Sequence, residues 1–289
     1  MFSCKHRKSH IILGAGVLLF AVIYTYPLLV TVTNSFMSQS EIQKNYSTIG
    51  DILHPGEKYI DMKLVPERVT LTQYLGLLVE SPAYLHMFWN SVRLALPVVA
   101  GNLLVSSMAA YGFTVLRFRG KEFVFFLYII VMLLPLQVTL MPNYLVADWL
   151  NIRESYLAII LPGIFNPFGV FLLRQSMKLI PDAYLESAKM DGAGHIRIFL
   201  SIVLPMIKSG LAVTAMLTLI DYWNLIDQAV IFIQDVEKQP LSMSLAGINT
   251  EYIGVFFAGA CLYAFPVLLI LFRGQEYLKE GIMLSGVKG

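Results

Sequence analysis

Six stretches of this sequence are apolar over most or all of the length needed to cross a lipid bilayer. They cover residues 11–33, 91–113, 123–141, 156–173, 202–220 and 254–272. A hydrocarbon core about 30 Å thick takes about 20 helical residues at 1.5 Å each. Backbone polar groups in lipid have no water to bond, so each stretch is expected to be a helix. The predicted fold class is an all-α polytopic membrane protein with six transmembrane helices. Composition supports this by exclusion. Charged residues make up 14% of the 289 and apolar residues 57%, against about 25% charge in soluble domains. A water-soluble enzyme, a disordered tail and a nucleic-acid binder are therefore poor readings. Cys4 lies in a basic N-terminus and Cys261 in an apolar run, so no disulfide framework is expected. The first stretch follows Lys5, Arg7 and Lys8, but it is too long for a signal peptide and no cleavage site follows. A retained anchor is predicted.

Charge sets the expected orientation. With the N-terminus inside, fourteen of the 21 basic residues fall in inner segments and six in outer ones, while Arg93 can snorkel at the outer end of the second stretch. Both termini are then cytoplasmic. The division that follows is a cytoplasmic N-terminus at 1–10, a six-helix domain at 11–273 and a cytoplasmic tail at 274–289. The domain carries an external loop at 34–90 and a cytoplasmic loop at 174–201. The external loop has turn signals at His54-Pro55-Gly56, a short interfacial helix expected over 71–79, and an aromatic stretch at 84–89.

The inner loop is the more informative of the two. Pro181 bars a continuous helix from the fourth span, Asp182 is a candidate N-cap, and good helix formers follow for two turns. Gly192 ends that helix in a conformation other residues resist. A second short helix is expected over 195–200, leading to a fifth span that begins at Ile202-Val203-Leu204-Pro205. Ser187 and Ala188 are small and permit close approach by another protein. The residues alone leave two readings open, a helix lying on the membrane surface and a helix docked on a partner.

The spacing carries a resemblance. Glu186-Ser187-Ala188, three residues, Gly192, nine residues and Ile202-Val203-Leu204-Pro205 resembles the EAA signature of ABC importer permeases. Serine stands at the second position where that pattern has alanine. Asp191-Gly192-Ala193 and Phe199 are similar to the carbohydrate-importing branch, which includes the smaller permease of the maltose transporter. Trp223-Asn224 and the ending Gly286-Val287-Lys288-Gly289 agree, although Ala229 stands where that branch usually has proline. The resemblance implies a type I ABC importer permease fold in a bacterial or archaeal cell membrane. It implies a second homologous permease, two ATPase subunits, an extracytoplasmic solute-binding protein and a sugar or sugar-derived substrate as partners. Coupling to the ATPase would fall to Glu186, Ser187, Ala188, Lys189, Met190, Asp191, Gly192, Ala193 and Pro205. ATP and magnesium would sit on the ATPase. Gly120-Lys121 runs into Glu122 without a glycine lead-in, so this chain has no phosphate loop and no catalytic residues are predicted.

Polar residues inside apolar spans face a pathway or a partner helix. Gln137, Asn166, Tyr222, Trp223 and Asn224 are candidates for the solute path, with helix–helix bonding as their alternative; bonding of that kind is the preferred reading for Asn102. The loop at 234–250 resembles one that meets the binding protein. Gln234, Asp235, Glu237, Lys238 and Gln239 are its contact candidates, with an ordinary solvated hairpin equally open. Pro97, Pro135, Pro162, Pro167 and Pro266 are expected to kink spans. Two other classes fit the sequence less well. A self-sufficient channel for small polar solutes has one hint, Asn166-Pro167-Phe168, where the Asn-Pro-Ala channels need two copies. An intramembrane enzyme has no motif, and the five histidines are scattered outside the spans, so no metal cluster is expected.

Overall fold

The computed structural model describes residues 3–46, 63–246 and 253–286. The turn at His54-Pro55-Gly56, residues 247–250 of the outer loop and the ending Val287-Lys288-Gly289 lie outside them. The described residues are helical nearly throughout, with a single isolated bridge between Met37 and Val69. The chain divides into two compact units, Met1–Leu85 with Leu245–Phe265, and His86–Ser244 with Pro266–Gly289.

In the first unit, α1 (Ser3–Asn34) leads to the short α2 (Gln39–Tyr46). The helix expected over 71–79 is α3 (Thr72–Leu75), continued by one π-helical turn over Gly76–Glu80. Met37, Ile42, Tyr46 and Ile253 form the core here. The Tyr84 hydroxyl donates to the Gly259 carbonyl at 3.0 Å, and Gln73 donates to Gln39 at 2.9 Å.

Helix α4 (Pro82–Thr114) crosses into the second unit. It begins nine residues before the predicted span, so the aromatic stretch at 84–89 is helical and does not end a loop. Pro97 is accommodated inside it. The third apolar stretch departs from expectation. It breaks into α5 (Lys121–Met132) and α6 (Leu136–Trp149), bent by 101°. A residue before proline is driven out of the α region, and Leu134-Pro135 ends α5 where a kink was expected. Twelve residues rise about 18 Å, so α5 alone does not cross a membrane. The fourth stretch is α7 (Leu157–Ile164) and α8 (Pro167–Met177), interrupted at Asn166. The fifth also departs: the break falls at Ile207 and the long helix α12 (Lys208–Trp223) starts there, after a 76° bend, six residues later than predicted. Helix α13 (Ile253–Gly286) closes the chain. Among the described residues four helical segments, α7 and α8 counted together, are long and apolar enough to cross a membrane, and each bent pair adds one if it counts as a single span.

The interrupted fourth stretch leaves helix-terminal carbonyls to satisfy at membrane depth. Asn102, buried on α4, does this. Its amide donates to the carbonyls of Ile164 at 3.2 Å and Gly163 at 3.4 Å, while its oxygen lies 3.5 Å from the Thr218 hydroxyl. This is the helix–helix role preferred for Asn102 from sequence. The approach of α4 and α8 depends on Gly169, where a Cβ would lie 2.6 Å from both Asn102 Oδ1 and Ser106 Oγ. Gly169→Ala is expected to destabilise the protein by about 1–3 kcal/mol through overpacking. Gly112→Ala, whose Cβ meets open space, is expected to be neutral or slightly stabilising. Thermal unfolding in detergent compares the two.

Candidate functional site

The segment between α8 and α12 is built as a sequence of breaks. Helix α9 (Asp182–Met190) follows Pro181. The capping position falls on Pro181, which offers no side-chain acceptor; Asp182 is the first helical residue, where its carboxylate faces the positive end of the helix. The Asp182 cap is thus corrected to an in-helix position. At the other end Gly192 adopts φ +76°. The Gly192 N–H reaches the Lys189 carbonyl and the Ala193 N–H reaches the Ala188 carbonyl, both at 3.0 Å. This pairing is a Schellman closure, and it explains the spacing of Ala188, Gly192 and Ala193 physically. The carbonyl three residues from the helix end is taken by the amide just past the glycine, and only a left-handed residue brings it there.

Helix α10 (His195–Ile198) continues through a π-helical turn, Phe199–Val203, into α11 (Leu204–Met206). Pro205 lacks the N–H that would bond one turn back, and Ile207, at φ −101° and ψ 21°, carries the bend.

One cluster fastens this segment to the long helices. Ala188, Ile198, Val203 and Ile207 are buried together with Ala110 and Tyr111 of α4 and with Leu173 and Met177 of α8. Leu185, Ala193 and Phe199 pack against it. The Tyr111 hydroxyl lies 3.1 Å from His195 Nδ1, and its ring meets Phe199 edge-on at 5.2 Å. Ala188 is therefore small because its own chain closes on it, which corrects the expectation that it frees space for another protein. Glu186, Ser187, Lys189, Met190, Asp191 and Gly192 are exposed, and Met190 is 88% exposed. Helix α9 thus has one edge built into the spans and another facing outward.

Of the solute-path candidates, Gln137 is exposed on α6. Asn166 is half-buried and accepts the Phe168 N–H at 3.0 Å, as a helix cap does. Tyr222 and Trp223 are buried, and Trp223 meets Phe88 edge-on at 5.6 Å. Asn224 is exposed and donates to the Ile220 carbonyl at 2.8 Å. Two of the five are thus exposed, two buried and one half-buried.

The 234–239 turn is held from behind. Val236–Lys238 forms one 3₁₀ turn, capped by Asp235, whose carboxylate accepts the Glu237 N–H at 3.1 Å. Asn90 donates to the Glu237 and Gln239 carbonyls at 2.7 and 3.2 Å, and the Tyr156 hydroxyl donates to the Lys238 carbonyl at 2.9 Å. The side chains at 234–238 point outward. Asn90, Tyr156, Tyr111 and Arg174 are structural partners that sequence reading did not single out. Their contacts with the turn lie 82 to 149 residues apart, beyond any local pattern.

The Lys238 ammonium, 3.1 Å from Asp235, holds that carboxyl below the usual aspartate range, helped by the Glu237 amide. A lowered folded-state pKa stabilises the turn at neutral pH and ceases to do so as pH falls through that lowered value. A nitroxide at Glu237→Cys is expected to keep one mobility from pH 8 to 5 and loosen only below about pH 4. With Asp235→Ala it is expected to be mobile throughout.

Comparison with known proteins adds what geometry cannot. Residues 92–282 match the family model described as binding-protein-dependent transport system inner membrane component. The arabinooligosaccharides transport system permease protein of Halalkalibacterium halodurans is 28% identical, over 99% of this chain and 100% of its own. The galactooligosaccharides transport system permease protein of Bacillus subtilis is 30% identical, over 93% and 92%. The sn-glycerol-3-phosphate transport system permease protein of Yersinia pestis is 30% identical, over 96% and 95%. Among solved structures, a chain of a bacterial ABC transporter importing the acidic polysaccharide alginate superposes with a TM-score of 0.79 at 21% identity, covering 96% of this chain and 99% of that one. At that identity the likeness is one of fold.

Proposed function

This chain belongs to the family of binding-protein-dependent transport system inner membrane components, multi-pass membrane permeases, and on that footing we propose that it is the permease subunit of an ATP-driven importer of a sugar or sugar-derived solute. The proposal includes six spans, each bent pair counting as one, with both termini cytoplasmic. It includes half of a translocation pathway, completed by a homologous permease, above two ATPase subunits that hold ATP and magnesium. An extracytoplasmic binding protein delivers the solute, and the outward side chains of Gln234, Asp235, Glu237 and Lys238, with Gln239, are its contact candidates.

The observation that carries the reading is the two-edged build of α9. Its exposed edge, with Glu186, Ser187, Lys189 and Met190, is free to sit in a groove of an ATPase. Its buried edge, through Ala188, is part of the cluster that contains Tyr111 of α4 and Leu173 of α8. Closure of the ATPase pair on ATP then moves α9, and the cluster passes that movement to the spans. Packed cores shift between discrete arrangements, so ATP needs only to bind one arrangement better than the other. Gly192 and Pro205 set the angles at which the movement is redirected. The carbohydrate class rests on the relatives, whose names give arabinooligosaccharides, galactooligosaccharides and sn-glycerol-3-phosphate.

The test is to tag the chain, solubilise native membranes gently and identify what accompanies it by mass spectrometry. An ATPase and a second permease are expected, and the recovered complex is expected to hydrolyse ATP faster with binding protein and sugar. Recovery alone or as a homo-oligomer, where a control complex stays whole, would replace the importer with a self-sufficient facilitator.

A further inference from the structure

Helix α4 is one unbroken helix, and charges mark both ends of its apolar part. No charged residue stands between Arg93 and Arg117. Its residues 94–114 rise about 32 Å, which matches a hydrocarbon core about 30 Å thick. Arg117 and Arg119 therefore sit at headgroup level, on the side where α4 ends. Helix α5 starts at Lys121 and packs back along the last turns of α4, where Phe113 meets Phe125 and Tyr128 and Ala109 joins the same cluster. Its opposite face leaves Phe123, Phe126, Leu127 and Ile130 exposed at helical spacing, at the depth of those α4 turns.

The turn between the two helices is fastened. The Lys121 ammonium donates to the carbonyls of Leu116 at 3.3 Å and Thr114 at 3.5 Å, and Gly120 takes φ +80°. The Phe118 ring lies 6.3 Å from that of Phe113 and is still 47% exposed. Residues 115–124 and 174–178 hold five basic side chains and one acidic one. The acidic one, Glu122, is already bound through both oxygens to Arg174. That bond holds its carboxyl below the usual carboxylate range, and Lys178 and Lys121 lower it further, which places both lysines at the same corner. Arg117 and Arg119 are exposed, and among the described residues neither forms an ion pair.

The corner thus sets unpaired positive charge at the edge of an exposed apolar wall. A soluble protein could cover the charges but not the wall. A phospholipid meets both with one molecule, its phosphate at the charges and its acyl chains along the wall. Guanidinium groups offer planar donor forks that fit phosphate oxygens, and basic pockets beside transmembrane helices suit anionic head groups. We propose that the α4–α5 corner is a binding site for an anionic phospholipid. Arg117 and Arg119 hold the phosphate, Lys178 adds charge, and Phe118 and Phe123 lie against the acyl chains. The bound lipid braces the corner that Arg174 joins from within. This requires only that α4 spans the membrane and is independent of the importer reading.

The complex is purified in neutral detergent with the subunits that accompany it and washed free of lipid. Its thermal midpoint is then read with phosphatidylglycerol or phosphatidylcholine added at equal mole fraction. Phosphatidylglycerol is expected to raise the midpoint by about 4 °C more than phosphatidylcholine. Arg117→Gln with Arg119→Gln is expected to keep the lipid-free midpoint and lose most of that difference. Arg273→Gln with Lys279→Gln removes as much charge from another basic segment and is expected to keep the difference. Inorganic phosphate, which has no acyl chains, is expected to give no shift. Phosphatidylglycerol retained per complex, counted by native mass spectrometry, makes the same comparison where a variant's own midpoint has moved. Equal shifts by the two lipids, or a difference kept without Arg117 and Arg119, would overturn the proposal. Equal loss in both double variants would replace the site with diffuse attraction to an anionic surface. A full shift with phosphate alone would replace the lipid with a free anion. Loss of an accompanying subunit from the Arg117→Gln, Arg119→Gln complex would show that a protein covers this corner instead.

Discussion

Arg174→Met is expected to lower the thermal midpoint of the detergent-solubilised protein by about 5–10 °C, corresponding to about 3 kcal/mol. Arg174 is only 3% exposed, on the last turn of α8. Its guanidinium donates to both oxygens of Glu122 at 2.7 and 2.9 Å, and its Nε donates to the Phe113 carbonyl at 3.4 Å. Its charge lies 3.7 Å over the Phe125 ring. One side chain therefore joins α8 to the start of α5 and to the carboxyl end of α4, where a carbonyl would otherwise lack a partner. Hydrogen bonds to charged groups contribute about 1.5–3 kcal/mol and a desolvated cation–π contact up to about 2. These contributions overlap, so their sum is an upper bound. Methionine keeps the packing volume and removes all three. Arg174→Lys keeps the charge without the planar fork and is expected to fall between. Glu122→Gln is expected to have the smallest effect, because the Glu122 side chain is 70% exposed and solvent already screens it. Equal midpoints for wild type and Arg174→Met would show that the three helices hold their arrangement without this joint.

Arg174 also shows where sequence reading stops. In the sequence it is one of fourteen basic residues whose distribution sets orientation, and nothing local marks it as the one that is buried. The helix at 182–190 was legible because its determinants are local. Proline can only precede it, glycine ends it, and the residues between favour helix. The breaks at Pro135 and Ile207 were not, because the chain stays apolar through both. Hydropathy measures the cost of exposing side chains and is blind to where the backbone turns. Pro135 was visible, but whether a proline kinks a helix or ends it depends on what receives the freed carbonyls, and that is tertiary. Ala188 failed differently. Small size was read correctly, but a small residue admits either a partner or its own chain, and only the cluster around Tyr111 and Leu173 decides between them. The anchoring of the 234–239 turn was not legible for the same reason, since Asn90 and Tyr156 are remote from it in sequence.

Gly192→Val is expected to cut solute uptake at least tenfold while membrane insertion stays normal. A Cβ at Gly192 meets nothing within 4 Å, so crowding is not the cause. The cause is φ +76°, which costs an ordinary residue about 1–2 kcal/mol and a β-branched one more. Escape to an ordinary conformation breaks the Ala193 to Ala188 bond, and the chain leaves α9 in a new direction. Leu185, Ala188 and Ala193 then cannot all remain in the cluster with Tyr111, and movement of α9 no longer reaches α4 and α8. Asparagine tolerates the left-handed region far better than valine. Gly192→Asn is therefore expected to retain most uptake, and Gly194→Ala, where backbone is extended and a Cβ also meets open space, to retain nearly all. Glu186→Lys tests the exposed edge by reversing its charge without touching the cluster, and it too is expected to uncouple. The readouts are uptake in cells and ligand-stimulated ATP hydrolysis by the purified complex. Loss of uptake with unstimulated hydrolysis intact would show a broken link between two working parts. Equal function in the valine and asparagine variants would mean that the left-handed turn is a convenience of the fold and that coupling passes elsewhere.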